Sequence, residues 1–152
     1  MAPTRGSEDH VKVVVQLERD EDDYPPADSE NLWADAAGAG LYRINNIPFF
    51  AKGIALGDIV SAEFEAGQLL FKQVIKPSGH STLRLFIQDK AEVPALMELL
   101  VQKGCSCEGS HIPGLISVDV PPSVLLGEVR RLLEEGAEQE KWAYEEACIA
   151  LG

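Results

Sequence analysis

The sequence predicts an α+β protein, with a small β-rich, barrel-like module followed by a ferredoxin-like βαββαβ module. Three observations predict it. Between Thr82 and Cys148 the apolar period switches between two and 3.6 in the order strand, helix, strand, strand, helix, strand. Between Val11 and Ile75, short strand-like runs are separated by glycine-bearing links, with no helical stripe of useful length. The 152 residues have 45% hydrophobic content, which is ordinary for a globular chain. A chain of this size buries about 70% of its unfolded surface, as one compact domain or as two small modules. The expected boundaries are a loose tail over 1–10, the β-rich module over 11–78 and the α+β module over 79–152.

The second module is the more legible. Its first strand is Leu83–Ile87, with Leu83, Leu85 and Ile87 on one face. Asp89 and Glu92 resemble a capping box. Pro94 fits only the first turn of the helix that follows. The stripe of that helix is Val93, Leu96, Met97, Leu100 and Val101. Gly104 is expected at its C′ position. Cys105–Gly109 is a weak strand, Pro113-Gly114 suits the centre of a type II turn, and Leu115–Val120 is the best strand in the chain. Ser123 is placed to cap the second helix, Leu125, Val129, Leu132 and Leu133 form its stripe, and Gly136 is expected to end it. Trp142–Cys148 closes the set. The product is a four-stranded antiparallel sheet with both helices on one face. The first module is expected to cover the other face.

In the first module Val11–Leu17 reads as a strand. Glu18–Glu30 holds seven acids against one arginine, a net of −6 and half of the chain's −12. With Pro25-Pro26 inside it, this run is expected to be a solvated loop or linker, not a packed element. Strand-like segments follow at Leu32–Ala36, Leu41–Asn45, Ile59–Phe64 and Leu69–Ile75.

Composition narrows the function classes. There is no apolar run of membrane length and no charged-then-apolar N-terminal signal. Three cysteines make an odd count, so a disulfide framework is not expected and a reducing, cytoplasmic setting is. The acidic balance argues against nucleic-acid binding, which needs a basic footprint. It suits solubility and attracts a basic partner.

Three stretches could carry chemistry. In Asn45–Asp58, Phe49 and Phe50 are adjacent, and two neighbours on a strand cannot both point inward. One of them could line a groove, or both could pack from a cross-over loop. Asp58, after Gly57, reads as a turn cap and not as a base. The second stretch is Lys76–Arg84. Ser78, His80, Ser81, Thr82 and Arg84 could bind an anion or a carboxylate, with His80 as a general base. The same residues also suit a polar turn whose hydroxyls satisfy backbone groups. The third is Cys105, Cys107 and His111. A C-x-C on a strand lacks the usual C-x₂-C partner pair, so no metal site is expected. Nothing local supports a cysteine nucleophile. No phosphate loop, dinucleotide fingerprint or H-E-x-x-H is present, so no cofactor is expected.

The words Leu32-Trp33, Leu41-Tyr42-Arg43-Ile44, Asn46-Ile47-Pro48-Phe49-Phe50, Gly57-Asp58-Ile59-Val60 and Ser78-Gly79-His80-Ser81-Thr82 occur in this order, and Trp142-Ala143-Tyr144-Glu145-Glu146 closes the run. Over roughly residues 10–148 this resembles the bacterial family known as domain of unknown function 4265. The resemblance implies no activity. It draws attention to the Ser78–Thr82 loop and to Phe49-Phe50 as a shared surface.

Two functions of different class follow. The first is a non-catalytic, acidic binding protein that engages a protein partner, of the immunity, antitoxin or regulatory type. The second is a small-ligand or enzymatic site at Ser78–Arg84, walled by Phe49 or Phe50. A homodimer through an exposed sheet edge is compatible with either.

Overall fold

The computed structural model describes residues 10–150. Within them the protein is sheet-rich, with two sheets and two short helices. The chain divides into two compact units, one ending at Ser78 and the next beginning at Gly79. The tail expected over 1–10 lies outside the described residues, except for His10, which opens the first strand.

The first unit contains β1 (His10–Gln16), β2 (Ser29–Gly38), β3 (Leu41–Ile44), β4 (Ile59–Glu65) and β5 (Gln68–Lys76). Each strand pairs antiparallel with the next, and β1 returns to β5, so the five follow one another round a closed ring. Strand alternation turns Val13 and Val15, Leu32 and Ala34, and Val60 and Ala62 into one apolar core, which Ala51 and Ile54 of the irregular 45–58 segment complete. The β4–β5 link is a two-residue turn at Ala66-Gly67, both with positive φ, which matches the twist of a hairpin.

The second unit contains β6 (Ser81–Ile87), α1 (Val93–Gln102), β7 (Ser106–Gly109), β8 (Leu115–Val120), α2 (Leu126–Glu138) and β9 (Trp142–Cys148). The four strands form an antiparallel sheet in the order β7-β8-β6-β9. Leu83 lies opposite Val118 and Leu85 opposite Ile116. These residues share one face and one core with Leu96 and Leu100 of α1 and with Val129 and Leu133 of α2. Both helices therefore pack on that face.

Several local expectations need correction. Asp89 accepts a hydrogen bond from Ala91 N at 3.0 Å, but it caps a 3₁₀ turn over Lys90–Glu92, and the Glu92 side chain makes no cap bond at the start of α1. Pro94 sits in the first turn of α1, where its missing N–H is harmless. Val101 is not in the stripe; it is 56% exposed, one position past the Leu96–Leu100 line. Ser123 does not cap α2. The helix starts later, with Leu125 as an extended N-cap that is 70% exposed, and Leu126 packs against the core instead. Gly136 does not end α2, which runs to Glu138. Its reason is packing, because a Cβ there would lie 1.9 Å from Cζ2 of Trp142. Trp142 is fixed in that position by donating Nε1–H to the Leu133 carbonyl at 2.8 Å.

Candidate functional site

The irregular segment 45–58 belongs to no strand, and two carboxylates accept four of its backbone N–H groups. Glu30, on β2, accepts three consecutive N–H groups: Phe49 at 2.6 Å, Phe50 at 3.0 Å and Ala51 at 2.8 Å. Asp58 is 3% exposed. Its Oδ2 accepts from Ala55 N at 2.9 Å and its Oδ1 from Ser78 N at 2.8 Å. Ser78 Oγ donates to the Leu56 carbonyl at 2.7 Å. Asp58 is thus the turn cap its sequence position indicates, and Ser78 belongs to the same latch. Phe49 and Phe50 lie in a bend, so the alternation rule for strands does not apply to them, and both rings are half-buried. Phe50 meets Tyr24 edge to face at 6.0 Å.

The acidic run is more built than a solvated linker. Glu30 and Ser29 belong to β2, and residues 17–28 form a loop closed by Leu17 N donating to the Asp28 carbonyl at 2.8 Å. Asp20 Oδ1 accepts from Asp22 N at 2.8 Å and from Tyr24 N at 3.0 Å, while Asp20 N donates to the Tyr24 carbonyl at 2.7 Å. Pro25 is buried, and Arg19 pairs with Asp28 at 3.0 Å. Glu18, Glu21, Asp22 and Asp23 are exposed on this frame.

In the second unit the sheet face away from the helices carries four buried polar residues, Thr82, Arg84, Ser117 and Asp119. Thr82 lies opposite Asp119, Arg84 opposite Ser117, and Arg84 also opposite Glu145. His80 Nδ1 is 2.9 Å from each carboxylate oxygen of Asp119, which is 2% exposed. Arg84 Nε lies 3.2 Å from Glu145 Oε1. Burial holds the Asp119 carboxyl above the usual carboxylate range, and the hydrogen bond and charge of His80 oppose this only in part. Ser81 is not grouped with His80. It precedes Thr82 on the strand, so its side chain takes the other face, where Oγ accepts from Ala150 N at 2.9 Å. Of the expected residues, His80, Thr82 and Arg84 are brought to one face. Phe49, Phe50 and Ser78 are parts of the first unit's own framework.

The family model described as Domain of unknown function (DUF4265) matches residues 30–144. The chain belongs to this family. The crystal structure of a hypothetical protein from Neisseria gonorrhoeae is similar, with a TM-score of 0.77 and 26% identity over 93% of this chain and 96% of that one. A comparison with curated proteins finds no match. The DUF4265 match takes in Glu30, the 49–51 segment, His80 and Asp119, and leaves out the acidic loop at 17–28.

Two of the thiols of this DUF4265 chain, Cys105 and Cys107, are held in the protonated form, which makes a poor nucleophile. Burial pushes the Cys105 thiol up to about 11, with the Asp119 charge adding to it. Burial pushes Cys107 up to about 12, with Cys105 and Asp119 adding to it. Both pack against the helix-side core, and His111 is exposed on the turn after β7. Among the described residues no group of three or more His, Cys, Asp or Glu side chains is placed to hold a metal ion. No described helix is long and apolar enough to cross a membrane. Sequence reasoning missed Glu30 and Asp119. Neither carried a local signal: an acid alternating with valines, as Asp119 does, reads as the solvent face of a strand.

Proposed function

We propose that this chain is a non-catalytic binding protein that engages a basic protein partner through the acidic loop, as a blocking or regulatory protein of the immunity or antitoxin type does. The observation that carries this reading is the order of that loop. Its ends are tied by the Leu17–Asp28 bond and its interior by Asp20, while Glu21, Asp22 and Asp23 face outward. A loop already held in one shape loses less freedom on binding than a linker would. A concentrated negative patch steers a basic partner and speeds its encounter. Tyr24, 43% exposed beside the acids, supplies an aromatic anchor of the kind interfaces favour. In this reading the ring is a small barrel and the second unit a ferredoxin-like module, both serving as scaffold.

The test is a comparison of wild type with the triple variant Glu21→Gln, Asp22→Asn, Asp23→Asn, which leaves Asp20 and the loop frame intact. In pull-downs from the native host at low salt, the wild type is expected to retain a basic protein and the variant to lose it by about tenfold or more. Raising the salt is expected to release the partner. Equal recovery by the two proteins, or no partner for the wild type, sinks the proposal.

One observation favours a second reading. A buried carboxylate that orients an imidazole, as Asp119 does His80, is also how a ligand-binding or general-base histidine is held, with Thr82 and Arg84 on the same face. Under this reading His80→Ala abolishes binding of a small anion or carboxylate, and the loop variant does not. Under the first reading the two results are reversed.

A further inference from the structure

We infer that the chain self-associates through the rim of its ring, with Phe64 of one copy seated in the cavity beside the β1–β5 seam of a second copy.

The seam has the shortest registered pairing in the ring. β1 meets β2 along its whole length, from His10↔Asp35 to Gln16↔Ser29, whereas β1 and β5 share a single registered pair, Val14↔Leu70. Next to that pair lies a cavity of about 350 Å³ whose wall includes Val11, Lys12 and Val14 of β1 and Phe64, Gln68 and Leu69 of the β4–β5 hairpin. Phe64 is the anomaly. Strand alternation puts it on the same face as Val60 and Ala62, which are 0% and 4% exposed, yet Phe64 is 73% exposed. An inward-facing aromatic ring thus overhangs the end of the strand, uncovered by the described residues. A lone exposed aliphatic side chain needs no explanation, but an aromatic ring on a core face, beside a cavity walled by Val11, Val14 and Leu69 as well as by polar residues, does.

Charge favours a second copy as the occupant. Lys12 is the only charged residue among the described ones lining the cavity, and its ammonium is steadied 4.9 Å from the Trp33 ring centroid. The side chain to be seated is flanked by acids, Glu63 and Glu65. Glu65 is paired with Lys72 on the same hairpin, so Glu63 is the acid that meets Lys12 of the other copy. Knob and cavity are neighbours on one surface, and a two-fold axis through that surface lets both copies insert at once, closing the assembly as a dimer.

The experiment is sedimentation of the full chain up to about 500 µM, a range that reveals weak dimers. The variants are Phe64→Asp, Lys12→Glu, and Lys12→Glu combined with Glu63→Lys. The wild type is expected to be a dimer. Phe64→Asp should weaken dimerisation by about 30-fold or more, as loss of an interface anchor does. Lys12→Glu should weaken it by about fivefold, and the charge swap should restore it. Phe64 and Lys12 are exposed, so the variants should keep the wild-type far-UV circular dichroism. A wild type that stays monomeric throughout overturns the inference, whether Phe64 is then covered by residues 1–9 of its own chain or by a different protein. So does a dimer that Phe64→Asp leaves intact. A charge swap that fails to restore association overturns the Lys12–Glu63 contact. The acidic loop takes no part, so the loop variant is expected to dimerise as the wild type does.

Discussion

Glu30 and Asp58 in the first unit and Asp119 in the second are carboxylates buried in part or in whole, and they are used in opposite ways. Glu30 and Asp58 accept backbone N–H groups, five bonds in all from Phe49, Phe50, Ala51, Ala55 and Ser78. Asp119 accepts from another side chain, His80. The difference follows from the backbone around them. Residues 45–58 have no ladder, so their N–H groups must find acceptors elsewhere. On β8 the backbone is committed to β6 and β7, so a polar side chain there must pair with its neighbours on the sheet face. A carboxylate that replaces a ladder is part of the fold's frame, whereas one that pairs across a sheet is closer to an addition on a frame that already stands.

The comparison predicts a graded series. Glu30→Ala should have the largest effect, because it strands three N–H groups at once; a loss of about 3 kcal/mol is expected from the cost of unmade hydrogen bonds to a charged acceptor. Urea denaturation should show it as a lower midpoint with an unchanged slope. Glu30→Gln should fall between, since one oxygen remains for Phe50 and Ala51 while the new amide N–H₂ faces the Phe49 donor. Asp58→Ala orphans Ala55 N and Ser78 N and should cost about 2 kcal/mol. If both alanine variants unfold at the wild-type midpoint, the 45–58 segment is not held by its carboxylates, and the first half of the comparison fails.

How much of this was legible in the sequence depends on the distance between a residue and its partners. The strand–helix order of the second unit was legible because periodicity is local: Leu83, Leu85 and Ile87, or Val129 and Leu133, declare their face within a few positions. Asp58 was legible for the same reason, as an acid after a glycine at the entry to a strand. Glu30 was hidden. Its partners lie 19 to 21 residues further on, and the acidic run around it suggests solvent. Gly136 was misread because glycine near the end of a helix usually stops it, while here the deciding residue is Trp142, whose ring occupies the space of a Cβ. Ser123 was misplaced because the helix start is set by where the chain turns, at Leu125, and not by the nearest capping residue. Of the candidate site, strand alternation separates Ser81 from Thr82, but neither Asp119 as the partner of His80 nor Glu145 as that of Arg84 is visible without the register of three strands.

Asp119→Asn should have the smallest effect and the most informative pH dependence. Burial raises the Asp119 carboxyl above its ordinary range in the folded protein. The folded state therefore holds this proton more tightly than the unfolded chain does. The group's contribution to stability is fully present below the unfolded value and declines as pH rises from there through the raised folded one. Below that window both states are protonated, and the group adds no pH dependence. The asparagine side chain cannot ionise, so the variant lacks this decline and should gain on the wild type as pH rises through the window. It also gives up the charge of the His80 pair, which opposes that gain, while its amide oxygen can still accept from the imidazole, so the net difference near neutrality should stay within about 1 kcal/mol, the net worth of one hydrogen bond. Denaturation of both proteins from about pH 3 to about pH 8 reads the sign directly. If Asp119→Asn loses as much stability as Glu30→Ala, or falls further behind the wild type as pH rises, the sheet carboxylate is as much a part of the frame as the ring's, and the contrast between the two units does not hold.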